Sequence, residues 1–219
     1  MSRKRVIVVT VGIMLSLFMA AVESTVVATA MPTIVSQLGG LAFYSWVFTA
    51  YMLTSTTTVP IYGKLSDILG RKPVFMVAMA LFLVGSVLCG QAQNMGQLIA
   101  FRALQGLGAG GLMPLAFIMI GDIFSFEQRA RMQGLFSGVW GVAAIIGPLL
   151  GGFLVDNVSW QWVFYVNLVP GVLATALLWF GWRDPAREAR ATRLPIDFAG
   201  TVLLSAGVVA LLLGLTDLQ

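Results

Sequence analysis

The chain has 219 residues, of which 58% are hydrophobic and 10% charged, against about 25% charged in an ordinary soluble domain. Charge this sparse cannot cover a water-facing surface, and the net charge of +4 is strung along loops beside apolar runs rather than gathered into a nucleic-acid-binding face. Histidine is absent and Cys89 is the one cysteine, which excludes an intrachain disulfide and leaves proton chemistry near neutral pH to a carboxylate in a perturbed setting.

Several apolar runs reach about 20 residues, the length a helix needs to cross roughly 30 Å of hydrocarbon. Apolar length and loop punctuation predict seven spans, over Val6–Thr29, Phe43–Tyr62, Pro73–Gly90, Gln97–Phe124, Met132–Val155, Trp162–Trp182 and Phe198–Leu215. The first follows Arg3, Lys4 and Arg5 in the manner of a signal peptide. It is too long for such a segment and leads into further spans, so it reads as a retained helix. The second contains "TSTTTVP", Thr54–Pro60, whose hydroxyls either line an aqueous path or bond back onto their own helix. After it, "GKLSDILGRK", Gly63–Lys72, occupies a short turn. Its glycines allow close backbone approach, while Asp67, Arg71 and Lys72 either pair with one another and with helix ends or serve as an ordinary basic anchor. Asp122, Arg129 and Arg131, in the next loop of this kind, are candidates for the same network.

In the fourth span, "FRALQGLGAGGLMP", Phe101–Pro114, spells G-x-G-x-x-G at Gly106, Gly108 and Gly111. A dinucleotide loop needs a preceding strand and a helix opening at the glycines. Here they fall in mid-span, which argues against a phosphate cradle. Arg102, Gly106 and Gly110 instead form one helical stripe, and small residues on such a stripe let helix backbones approach closely in lipid. An arginine at mid-membrane costs about 2.5–3.5 kcal/mol on insertion scales and needs a partner or a watery cavity. Glu23 is the candidate partner, because both residues lie roughly 8 Å inside the outer ends of their spans at the helical rise. The alternative is that each side chain reaches separately for the interface. Burial raises a carboxylate's pKa and a close cation lowers it, so a movement that alters either can load and release a proton.

The fifth span, "MQGLFSGVWGVAAIIGPLLGGFLV", carries two small-residue pairs, Gly134 with Gly138 and Gly147 with Gly151, along with Pro148 and Gly152. A mid-helix proline bends the axis, and a bent, glycine-faced helix suits an interface that seals and reopens. Glycine and proline are also common in membrane helices generally. Basic residues alternate with the loops: every lysine and arginine except Arg102 falls on one side, which the positive-inside rule makes cytoplasmic, amino terminus included. Three spans followed by three, each triple enclosing a basic loop, are compatible with a 3+3 inverted repeat.

These motifs resemble those of the major facilitator superfamily, in its fourteen-helix drug:proton antiporter branch. "GKLSDILGRK" looks like the loop between helices two and three, "FRALQGLGAGG" like the fourth-helix arginine motif, and "GVWGVAAIIGPLLGG" like the fifth-helix antiporter motif. "ESTVVATAMPTI", "WQWVFYVNLVPG" and "LPIDFAGTVLLSAG" are similar to its first-, sixth- and seventh-helix signatures. Departures are Glu23 where aspartate is usual, Gln161 where arginine is usual, and the spacing in "NLVPG".

The resemblance implies an all-α membrane protein: a six-helix half with a 3+3 inverted repeat over residues 1–182, a basic cytoplasmic linker over 183–197 and a seventh transmembrane helix over 198–219. It implies proton-coupled antiport of a small hydrophobic or cationic substrate by alternating access, with the proton as coupling ion and no other cofactor. Glu23 and Arg102 would carry proton coupling. Gly63, Asp67, Gly70, Arg71, Lys72 and Asp122 would form the gating loop, and Gly147, Pro148, Gly151 and Gly152 the antiporter motif. The expected partners are the lipid bilayer of a bacterial plasma (inner) membrane and a second transporter half or dimer partner, since the family uses two six-helix halves. No nucleic acid is expected. The alternative is a truncated or free-standing membrane module with an assembly role and no transport. An enzyme is disfavoured, because no nucleophile–base pair or metal-ligand cluster stands out.

Overall fold

The computed structural model describes residues 2–184, together with Gly200, Leu203, Ala206, Gly207, Ala210 and Gly214, all six of them helical. Among the described residues the elements are α1 (Arg3–Leu38), a short 3-10 turn (Leu41–Phe43), α2 (Tyr44–Leu69), α3 (Arg71–Gly90), α4 (Met95–Ile123), α5 (Phe126–Asn157), α6 (Trp162–Tyr165) and α7 (Leu168–Gly181). Apart from Arg183 and Asp184, the linker expected over 183–197 lies outside the described residues, as does most of the seventh helix expected over 198–219.

Helix ends follow local chemistry. Gly39 and Gly40, at φ 69° and 76°, stop α1, which runs on to Leu38, past Thr29 where the predicted span ends. Gly70, at φ 102°, turns the chain between α2 and α3 with almost no linker. The Asn94 side chain accepts from Gln97 N at 2.9 Å to start α4, and Ser125 with Gln128 forms a reciprocal cap at the start of α5, each pairing satisfying amides that a helix otherwise leaves open. The sixth predicted span is broken at Val166 and Asn167. Pro170 has no N–H to give to the Val166 carbonyl, and that missing bond interrupts the helix.

Among the described residues, five units are long and apolar enough to cross a membrane: α1, α3, α4, α5 and the combined stretch Trp162–Gly181. The 26-residue α2 is long enough as well, but its threonine-rich centre lowers its hydropathy.

The packing is reciprocal. α4 runs along α2 and α3, while α1 runs along α5 and α7. Each triple therefore lends its first helix to the other, the exchange that a 3+3 repeat produces. The interior divides into two apolar clusters. One gathers Val9, Ile13, Phe75, Phe82, Leu115, Met119 and Leu178 towards the basic loops; the other gathers Val26, Met31, Val47, Leu98, Trp160 and Phe164 at the opposite end. Between them, buried polar residues fall where a helix passes from one cluster to the other: Glu23 on α1, Ser86 on α3, Arg102 and Gln105 on α4, and Asn167 before α7. A polar layer thus sits at the centre of an otherwise apolar bundle.

Candidate functional site

The stripe on α4 sets the site's geometry. α2 and α4 run parallel and in register: the Val47 carbonyl meets Arg102, the Tyr51 carbonyl meets Gly106 and the Ser55 carbonyl meets Gly110. A Cβ on Gly106 would lie 2.5 Å from the Tyr51 oxygen, closer than packed atoms tolerate, so only glycine permits this approach. On the other flank a Cβ on Gly108 would press against the α3 backbone, 2.5 Å from the Ala78 oxygen. The glycines of the G-x-G-x-x-G pattern thus serve helix packing on two sides, with all three inside α4.

Arg102, held in this register, projects into the polar layer. Its guanidinium pairs with a carboxylate oxygen of Glu23, donates to Gln105 Oε1 at 2.7 Å and to the Val47 carbonyl at 3.3 Å, and stacks 4.1 Å from the Tyr51 ring centroid. Glu23 is 0% exposed and Arg102 1%. The second carboxylate oxygen of Glu23 accepts from Asn167 Nδ2, and Gln105 donates onward to Ser86 Oγ at 2.8 Å. Separate snorkelling of the two charges is thereby excluded. A charge pair taken out of water is held only when its remaining donors and acceptors are also met, and four helical segments supply them here.

Beside this layer lies a cavity of about 400 Å³, within the range of small-molecule sites. Its walls include Ser24 of α1, Tyr51 and Ser55 of α2, Met113 and Phe117 of α4, and Trp140 of α5. In the hydroxyl run of α2, Thr54, Ser55, Thr57 and Thr58 bond back to carbonyls of their own helix, and Ser55 and Thr56 line the cavity.

At the basic end a second network forms. Arg71 pairs with Asp67 and reaches Asp122 Oδ2 at 3.3 Å. Lys72 Nζ donates to the Trp179 carbonyl at 2.6 Å and lies 4.6 Å from that ring's centroid. Gly70 supplies the turn, whereas a Cβ on Gly63 would meet nothing within 4 Å. Asp184, after α7, accepts from the Arg71 and Lys72 amides at 2.8 and 3.2 Å. Arg129 stands apart from this network: it caps the end of α4 by donating to the Phe124 carbonyl at 3.0 Å and to the Gly121 carbonyl.

The fifth-helix motif divides. Gly147 and Gly151 lie against α1, where a Cβ on Gly151 would come 3.0 Å from the Val26 oxygen and one on Gly147 would run into Thr25. Gly152, Gly134 and Gly138 meet nothing within 4 Å, and Pro148 is exposed. The two small-residue pairs therefore have different surroundings among the described residues. The apolar stretch of α5 is 22% buried against 50% for α1, and the side bearing the first pair touches no other described element.

Sequence reasoning missed Gln105, Asn167, Ser86, Tyr51 and Asp184. Gln105 and Asn167 carried a signal, as lone amides in apolar runs. Tyr51 carried none, since its importance comes from the register of α2 on α4.

Residues 13–216 match the profile of the Major Facilitator Superfamily. The chain is 47% identical over 215 residues to the Multidrug transporter protein MdtP of Bacillus subtilis, covering 97% of this chain and 39% of that one. It is 44% identical over 207 residues to Multidrug resistance protein 3 of the same organism, covering 94% and 40%. It therefore spans about two fifths of the length of these curated relatives. Among solved structures, the human organic anion transporter MFSD10 (TETRAN) superposes with a TM-score of 0.76 at 16% identity, over 95% of this chain and 55% of that one, a likeness of fold alone. The reciprocal three-helix packing, the buried arginine on its glycine stripe and the profile match agree: the chain is a multi-pass integral membrane protein and belongs to the major facilitator superfamily.

Proposed function

We propose that this chain supplies the amino-terminal half of a proton-coupled exporter of small hydrophobic or cationic molecules, working by alternating access against a second half. The observation that carries the reading is the adjacency of a fully buried Glu23–Arg102 pair and a cavity of about 400 Å³. The relatives named as multidrug proteins, with others named as efflux pumps, support efflux of small molecules as the direction of transport.

Glu23 is the proton-carrying group in this scheme. Its hold on a proton depends on how closely Arg102 and Asn167 engage it and on whether water reaches it. A rearrangement that draws α4 along α1 changes both, so one conformational step can exchange a proton for the occupant of the neighbouring cavity. Arg71, Asp67, Asp122 and Lys72 tie α2, α3, α4 and α7 together at the basic end, where the network serves as the gate on that side. Gly147 and Gly151 let α5 slide closely on α1, with Pro148 and Gly152 on the side of α5 turned to the second half. The basic end faces the cytoplasm of a bacterial plasma membrane, and the amino terminus lies there too.

The test uses the complete transporter in proteoliposomes, with a pH gradient imposed and the efflux of ethidium followed by fluorescence. Wild-type efflux should rise with the gradient, and Glu23→Gln should abolish that dependence. Gradient-driven efflux that survives in Glu23→Gln would remove this carboxylate from the mechanism. The isolated 219-residue chain, having one wall of a two-sided path, should transport nothing as a monomer.

A further inference from the structure

The cavity and the buried charge pair share a wall. Tyr51 lies 4.1 Å, ring centroid to Cζ, from the Arg102 guanidinium, and it also lines the cavity. Its backbone is pinned by the contact with Gly106, so the ring's position is set by helix register rather than by a flexible loop. The groups around the carboxylate come from four segments: Arg102 and Gln105 from α4, Tyr51 from α2, Ser86 and the Cys89 thiol from α3 by way of Gln105, and Asn167 before α7, whereas α5, packed on α1, contributes none of them. Glu23, Arg102, Tyr51 and Cys89 are the titratable members of this set, and of these four Tyr51 alone lines the cavity.

Among the described residues, the cavity's lining includes no aspartate, glutamate, lysine or arginine. Recognition there falls to ring faces and apolar walls: Tyr51, Phe117 and Trp140 supply aromatic surface, and Met113 and Val59 the remainder. A cation on a ring face is attracted by the ring quadrupole, most strongly when water is excluded. The ring of Tyr51 already holds one cation, Arg102. A molecule packed against the same side chain changes its placement or hydration, and with it the grip of Arg102 on Glu23. Linkage makes the effect reciprocal, so the state of the charge pair alters affinity for the occupant by the same factor.

We propose that Tyr51 is the positioning residue through which occupancy of the cavity is felt at the Glu23–Arg102 pair, and that the occupant it senses is a lipophilic, ring-bearing molecule. This rests on the proposed transport function and adds the side chain that joins its two parts.

The test measures binding of tetraphenylphosphonium, a lipophilic aromatic cation, to the purified complete transporter across a range of pH. In wild type, the affinity should change with pH by about 5-fold or more, the lower end of ordinary coupling between sites. Tyr51→Phe keeps the ring and should retain that change. Tyr51→Leu and Tyr51→Met, two ring-free variants of different flexibility, should bind the probe with affinity that no longer varies with pH. In a Glu23→Gln background the four side chains should become equivalent in pH response. If the ring-free variants bind more weakly but keep the wild-type pH dependence, Tyr51 is a cavity wall and the inference is overturned while the transport reading stands. Wild-type affinity that is flat with pH would overturn proton coupling itself, and this inference with it.

Discussion

Removing both members of the Glu23–Arg102 pair together should destabilise the chain far less than the two single removals, added, would suggest. Arg102→Met deletes the partner of a carboxylate that is 0% exposed, along with the bonds to Gln105 at 2.7 Å and Val47 at 3.3 Å. Stranding a buried charge in this way costs about 3–5 kcal/mol. Glu23→Gln leaves the Arg102 charge without its counter-ion but still bonded to Gln105, the Val47 carbonyl and the Tyr51 ring, so the loss should sit at the low end of that range, about 3 kcal/mol. In the double variant no charge is left alone in the layer. Its destabilisation should therefore fall about 2 kcal/mol or more short of the sum of the singles, within the range found for directly contacting residues. The assay is denaturant unfolding of the purified chain and its three variants in one detergent, followed by tryptophan fluorescence. Additivity within about 0.5 kcal/mol would mean that the two side chains do not act as a pair, and the polar-layer argument would fail.

Three further outcomes follow from the packing. Gly106→Val should abolish the close approach of α2 to α4 and collapse the yield of monodisperse protein, whereas Gly138→Ala, which meets nothing within 4 Å, should leave it unchanged in size-exclusion profiles. Asp184→Ala removes the acceptor for the Arg71 and Lys72 amides and should cost about 0.5–2 kcal/mol, as losing a helix cap does; hydrogen exchange should show these two amides losing protection before the rest of α3. Gln161 has a buried Oε1 with no hydrogen-bond partner among the described residues. Gln161→Met should therefore raise stability by about 1 kcal/mol, read as a higher thermal midpoint, and an unchanged or lower midpoint would show that the acceptor is satisfied.

Membrane class, the order of the first six spans and the family likeness were legible in the residues alone. Lipid imposes a length and an apolarity on each span that no neighbour can substitute for, so these features are written residue by residue. The sequence also marked Glu23 and Arg102, because an ionised side chain in an apolar run stands out wherever its partner lies. Tertiary structure alone decided that the two charges meet, that Gln105 and Asn167 complete their shell, and that Asp184 closes the turn at Gly70. The glycines make the division plain. Gly106 and Gly134 look alike in sequence, yet one is pressed against the α2 backbone and the other meets nothing within 4 Å. Helical spacing fixes which residues share a stripe, but which stripe finds a neighbour depends on the register between helices, and that is a property of the assembled bundle.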